Sequence, residues 1–245
     1  MRAILRSIFG TWKGRVLLPG IVAGVFVAAC ATNSSAVSIP GLQDTGVGSP
    51  GNPDPVWQIS LDASGGSVPR AATILSPLTG AAPFTWYAGT PIGAGANWIG
   101  PNSTANQDPG VPNGTYEYEL QFDLTGYEPS TASFVYESGA DNQVIGATLN
   151  GTGIAYDTRT PGGGVQFHTT SGPLAVSGPF VSGTNTLVFD VSNLAPNPSP
   201  TGFLFLLDSS SVTAVPEPST IALVGIGSLG LVGMIRCKAR LALAN

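Results

Sequence analysis

Apolar and polar residues alternate with period two through the middle of the chain. The clearest run is 115–124, where Tyr116, Tyr118, Leu120, Phe122 and Leu124 share one face and Thr115, Glu117, Glu119, Gln121 and Asp123 the other. That pattern predicts a half-buried strand with a wet, acidic outer face. Residues 131–137, 143–149 and 186–194 alternate similarly; the last places Leu187, Phe189 and Val191 inward, with Val188 and Asp190 opposite. Residues 203–207 are continuously apolar, as in a strand covered on both faces. Turn signals punctuate these runs: Asn113-Gly114, Gly139-Ala140-Asp141-Asn142, Asn150-Gly151 and Ser182-Gly183-Thr184-Asn185. No stretch here shows capped helical periodicity. The pattern predicts an all-β, antiparallel sandwich.

Composition agrees. The 245 residues include 33 Gly and 21 Pro, while only 9% are charged, a balance that favours short strands and tight turns over helices. Hydrophobic content of 42% is enough to close a core. Charge is unevenly placed. Between Val37 and Ala214 only Arg70 and Arg159 are basic, against thirteen acidic residues. A surface of that sign repels phosphate backbones and excludes nucleic acid as a partner. Both cysteines, Cys30 and Cys237, lie near the ends, so the central domain can hold neither a disulfide nor a thiolate metal site.

The two ends read as addresses. Arg2, Arg6, Lys13 and Arg15 precede an apolar run at 16–29 and then small residues, the layout of a secretory signal peptide. As a helix that run covers about 21 Å, short of a ~30 Å hydrocarbon core. Ser34-Ser35-Ala36 places the expected cut after Ala36; Ala29-Cys30-Ala31 is a second option, and Val27-Ala28-Ala29-Cys30 approximates a box for lipidation of Cys30. The expected organisation is a signal peptide at 1–36, an acidic β-domain at 37–214 and a tail at 215–245.

That tail holds Pro216-Glu217-Pro218, an apolar segment at 221–235 and a basic stop of Arg236, Lys238 and Arg240 within 236–240. It resembles the PEP-CTERM sorting signal. Two prolines keep the triplet out of any helix, and the terminal cations hold the segment's end on the cytoplasmic side. The resemblance implies a Gram-negative bacterium, transient insertion in its inner membrane, and an exosortase-type enzyme that recognises the triplet. The final location is then the cell envelope, surface or extracellular matrix, in association with exopolysaccharide. The glycines at 225, 227 and 230 fit G-x-G-x-x-G, but a dinucleotide site needs a preceding strand and an acidic residue about 20 positions on, and none follows Glu217.

Several pieces in order resemble a galactose-binding-like jelly-roll domain: Ser38-Ile39-Pro40-Gly41-Leu42, Asp54-Pro55-Val56-Trp57, Asn97-Trp98-Ile99-Gly100-Pro101, residues 115–127, Ala140-Asp141-Asn142, Leu149-Asn150-Gly151 and residues 182–187. This implies a two-sheet sandwich of a kind often found as a carbohydrate-binding or accessory module.

Candidate chemistry is sparse. His168 is the only histidine and no G-x-S-x-G elbow accompanies it, so a triad is not expected. Glu117, Glu119 and Asp123 are spaced about 7 Å per two residues, within the range of glycosidase carboxylate pairs, yet alternation on an exposed strand explains them. Asp141, Asn142 and Asn150 suit turns through their own backbone bonding, and they are also the amides and carboxylates that could hold sugar hydroxyls. Trp86 and Tyr87 are the candidate exposed aromatics for stacking on a sugar, whereas Trp57 and Trp98 are expected in the core. The expectation is a non-catalytic exported protein without cofactor or metal. The alternative is a carbohydrate-binding module acting through Trp86, Tyr87, Asp141, Asn142 and Asn150; a hydrolase comes third.

Overall fold

The computed structural model describes residues 35–76, 96–102, 110–159, 169–194 and 198–215, with 225, 227, 228, 230 and 231. Trp86, Tyr87, His168, both cysteines, Pro216, Glu217, Pro218, Arg236, Lys238 and Arg240 lie outside the described residues. Thr32–Ala222 forms one compact unit, and Met1–Ala31 with Leu223–Asn245 another. In the latter, Gly225, Gly227, Ser228, Gly230 and Leu231 are helical, so the three glycines of the apparent dinucleotide motif sit in helix instead of a strand-to-helix turn. No described helix is long and apolar enough to cross a membrane.

The larger unit is antiparallel β and sandwich-like. Its described strands are β1 (Ala36–Val37), β2 (Pro53–Leu61), β3 (Arg70–Ile74), β4 (Ile99–Gly100), β5 (Gly114–Asp123), β6 (Tyr127–Asp141), β7 (Gln143–Leu149), β8 (Thr152–Gly153), β9 (Leu174–Val176), β10 (Thr184–Asn193) and β11 (Gly202–Ala214). Pairing follows β8-β7-β10-β5-β2-β3-β4-β11-β6-β9, with β1 also on β11. The sheet curls through the short β3 and β4, which brings the β2-β5-β10 face over the β6-β11 face.

The alternation seen in the sequence is the burial pattern. Tyr116, Tyr118, Leu120, Phe122 and Leu124 are all buried, and so are Leu187, Phe189 and Val191 opposite them. Between the two faces the core is aromatic. Phe203 of β11 lies 5.7 Å from Trp57 of β2, 5.2 Å from Tyr118 of β5 and 4.8 Å from Phe189 of β10. Phe205 stacks on Tyr136 of β6 at 5.0 Å and approaches Trp57 at 5.3 Å. Such tilted and edge-on contacts suit the ring quadrupoles and stabilise beyond area alone. The continuous apolar run of β11 is explained by its second face, where Leu204 and Leu206 form a separate buried cluster with Leu75 and Trp98. Trp57 and Trp98 are thus both core residues.

The segment after β1 covers the edge of β11 that β6 leaves open. Ala36 and Val37 pair with Thr213 and Val212. Ile39 N–H then donates to Ser210 Oγ (3.1 Å), Leu207 N–H to Asp44 Oδ1 (2.6 Å) and Thr45 N–H to Phe205 O (3.1 Å). Ile39 and Leu42 enter the core on the way. A signal cut after Ala36 would fall between the two residues of β1.

One expected turn is corrected. Gly139, Ala140 and Asp141 do not turn; they continue β6, opposite Leu204, Phe203 and Gly202 of β11. Only Asn142 separates β6 from β7, and β7 pairs with β10 instead of β6. The junction is therefore a crossing between faces, and inward alternation of Tyr136, Ser138 and Ala140 outweighs the turn propensity of Gly139 and Asp141.

Candidate functional site

Of the candidate sugar-contacting residues, the described three are not brought together. Asn142 precedes β7 and Asn150 follows it, so roughly 26 Å of extended chain lies between them. Asn142 N–H donates to Ser192 O (3.0 Å), and its Oδ1 accepts from Leu194 N–H (2.6 Å), closing the end of β10. Asp141 is buried, and its carbonyl accepts the Thr201 hydroxyl. These contacts hold strands in register.

Asn150 is engaged more completely. It and Gly151 form the two-residue link between β7 and β8, with φ of 53° and 74°, the left-handed pair that a tight hairpin turn of this kind demands. Asn150 N–H donates to Thr186 O (2.8 Å) and its Oδ1 accepts from Thr186 N–H (2.9 Å). Its Nδ2 donates to Pro179 O and to Asn185 Oδ1, each at 2.9 Å. Asn185 is fully buried; its Oδ1 also accepts Val181 N–H, and its Nδ2 donates to Val181 O and Gly183 O. Two asparagines thus brace the loops at this end of the domain.

The acidic sheet face is internally bonded. Register places Glu117 opposite Asp190 and Glu119 opposite both Val188 and Gln58. Glu119 Oε1 accepts from Gln58 Nε2 (3.0 Å) and Gln121 Nε2 (2.7 Å), and Glu117 Oε2 from Ser60 Oγ (3.2 Å). Asp190 sits over Gly146, where a Cβ would come within 2.6 Å of its Oδ2, so the glycine makes room for the carboxylate. Burial pushes the Asp190 carboxyl above its ordinary range. The outward positions of β5 and β10 carry no aromatic ring, so among them there is no platform for stacking on a sugar.

Three arrangements carried no sequence signal. Arg70 Nη2 pairs with Asp62 Oδ2 at 2.6 Å, and Arg159 Nη2 with Asp157 Oδ2 at 2.5 Å. Burial would raise the Asp62 carboxyl, but hydrogen bonds from Ser64 and the charge of Arg70 outweigh it and hold it below the usual range. Both basic residues of the domain are thereby tied to aspartates, while Glu117, Glu119 and Asp123 lie on the outward side of β5. The third is an open cleft of about 330 Å³ beside β11, lined by Ser38, Asp44, Asp208 and Ser210 among others. Asp208 is the extra residue of a bulge between Leu207 and Ser209. Burial raises Asp44 and Asp208, reinforced by Asp208 acting on Asp44 and Glu137 acting on Asp208. Among the described residues no three His, Cys, Asp or Glu side chains gather as a metal site requires.

The comparison with protein families finds the PEP-CTERM protein-sorting motif at residues 214–236. No curated protein and no solved structure matches the chain. The motif begins on the last residue of β11 and spans the triplet, the apolar segment and Arg236. It marks an exported protein that is anchored transiently at the membrane and sorted by exosortase.

Proposed function

We propose that the processed protein is a non-catalytic component of the cell surface or extracellular matrix of a Gram-negative bacterium, associated with exopolysaccharide and built on a jelly-roll sandwich of galactose-binding-like type. The observation that carries this reading is the sorting motif set directly after β11 of a domain whose only two cations are tied to Asp62 and Asp157. Such a surface stays soluble through self-repulsion, and divalent cations can bridge its outward carboxylates to acidic glycans. The reading is further supported by the way Glu117, Glu119, Asn142 and Asn150 hold neighbouring strands and side chains.

The test is a fractionation of cells expressing the wild type or a variant with Pro216, Glu217 and Pro218 replaced by alanine. The wild type is expected in the matrix fraction with its tail removed and is expected to leave that fraction when a chelator is added. The alanine variant is expected to cross the inner membrane and stay there at full length. Wild-type protein that is soluble in the medium with no matrix retention overturns the proposal. A glycan array on residues 37–214 tests the carbohydrate-binding alternative, in which Trp86, Tyr87, Asp141, Asn142 and Asn150 contact the sugar.

A further inference from the structure

The strand that closes the domain runs directly into the sorting triplet. After a register shift between Ser211 and Thr213, β11 pairs with β6 again at its end, Thr213 opposite Glu128 and Ala214 opposite Tyr127. Thr213 N–H donates to Thr131 Oγ1 (2.9 Å), and Val215 N–H to Gly126 O (2.8 Å) in the turn between β5 and β6. On the other edge Val212 and Thr213 are covered by Val37 and Ala36. Pro216 is the next residue after Val215, so no linker separates the last backbone bond to the domain from the triplet.

One way to bind a peptide motif is as an extended segment held through its main-chain groups, and two prolines keep this triplet out of any helix. Upstream of this triplet those groups belong to residues 213–215 and are already bonded to β6, Thr131 and the turn at Gly126. Burial sets where the strand can open. Val212 is fully buried, while Thr213 and Ala214 are half-buried and Val215 is exposed. Local opening of strand ends costs far less than global unfolding, and here it has a natural stop at Val212.

We propose that tail removal is gated by the fold: the processing enzyme takes the triplet only when residues 213–215 have peeled from β6 and from the turn at Gly126, so the stability of this strand end sets the rate. The proposal rests on the triplet being the processing site. It makes the end of the domain formed by β1, the β5–β6 turn and the last residues of β11 the surface that meets the enzyme.

The test uses the full chain in cells that contain the enzyme, with tail removal followed by pulse-chase and immunoblot. An eight-residue Gly/Ser insertion between Val215 and Pro216 lies beyond the last bonded residue and leaves the fold intact. It is expected to speed tail removal about tenfold, the equivalent of one or two backbone hydrogen bonds no longer having to open. Glu128→Cys with Thr213→Cys joins directly opposed positions; once oxidised it is expected to slow removal by at least as much, with recovery on adding a thiol or the same insertion. Unchanged rates in both variants, while the triplet-to-alanine variant is blocked, overturn the gate and leave the sorting reading standing. A triplet-to-alanine variant processed like the wild type overturns both.

Discussion

Replacing Asn150 separates a bracing residue from a ligand-binding one. Asn150→Ala deletes three side-chain hydrogen bonds, those to Thr186 N–H, Pro179 O and Asn185 Oδ1. At about 1 kcal/mol each they amount to about 3 kcal/mol. Alanine also occupies the left-handed region, where Asn150 has a φ of 53°, at an added cost of about 1 kcal/mol. Asn150→Gly removes the same bonds without that steric penalty, so it is expected to be less destabilising than alanine. Asn150→Asp keeps an acceptor for Thr186 N–H but sets a carboxylate against Pro179 O and Asn185 Oδ1, both acceptors, and is expected to be destabilising despite its near-identical shape. The assay is denaturant unfolding of residues 37–214, with thermal midpoints alongside; 3 kcal/mol corresponds to a drop of about 6–12 °C in a domain of this size. A loss below about 1 kcal/mol for alanine, or an aspartate variant as stable as wild type, refutes the bracing role.

Stability should rise as pH falls from neutral. Asp44, Asp190 and Asp208 have carboxyls raised above 3.8 by burial, so their ionised forms oppose folding and the penalty is relieved as pH falls through their folded values. Asp62, and Asp123 through its bonds from Thr125, are lowered, so their contribution is complete above 3.8 and lost only on further acidification; urea midpoints that fall monotonically from neutral pH contradict this. With both cysteines outside residues 37–214, the thermal midpoint of that domain should not respond to reductant; a large drop on adding thiol would show the boundaries to be wrong. Mass spectrometry of the mature protein is expected to find Val37 at the N-terminus, and an acylated Cys30 would make it a lipoprotein instead.

Local patterns carried over into the structure where one strand or turn decided the outcome. The five inward residues of 116–124 are buried because period-two alternation needs only one wet face and one dry one, and Asn150-Gly151 turns because both residues accept positive φ. Pairing across long separations was not legible. Asp44 and Asp208 share a cleft although 164 positions apart, and the bulge that turns Asp208 toward it depends on the register of β6 against β11. The pair Asp141 and Asn142 lies apart from Asn150 for a reason present in the pattern itself. Alternation over 143–149 makes a strand, and residues flanking a strand lie at its two ends.

The position of β11 also bears on when the protein can fold. Its Phe203 and Phe205 supply ring partners to Trp57, Tyr118, Tyr136 and Phe189, and its open edge is the template on which residues 36–45 lie. The first segment of the domain therefore waits for the last, across separations of 160 to 171 residues. A chain emerging N-terminus first through a translocation channel cannot complete its core until residue 214 is across, which favours slow, late closure over folding from one end. The polypeptide thus stays threadable through most of its passage, and the strand that delivers the sorting segment to the membrane is the one whose arrival lets the domain close.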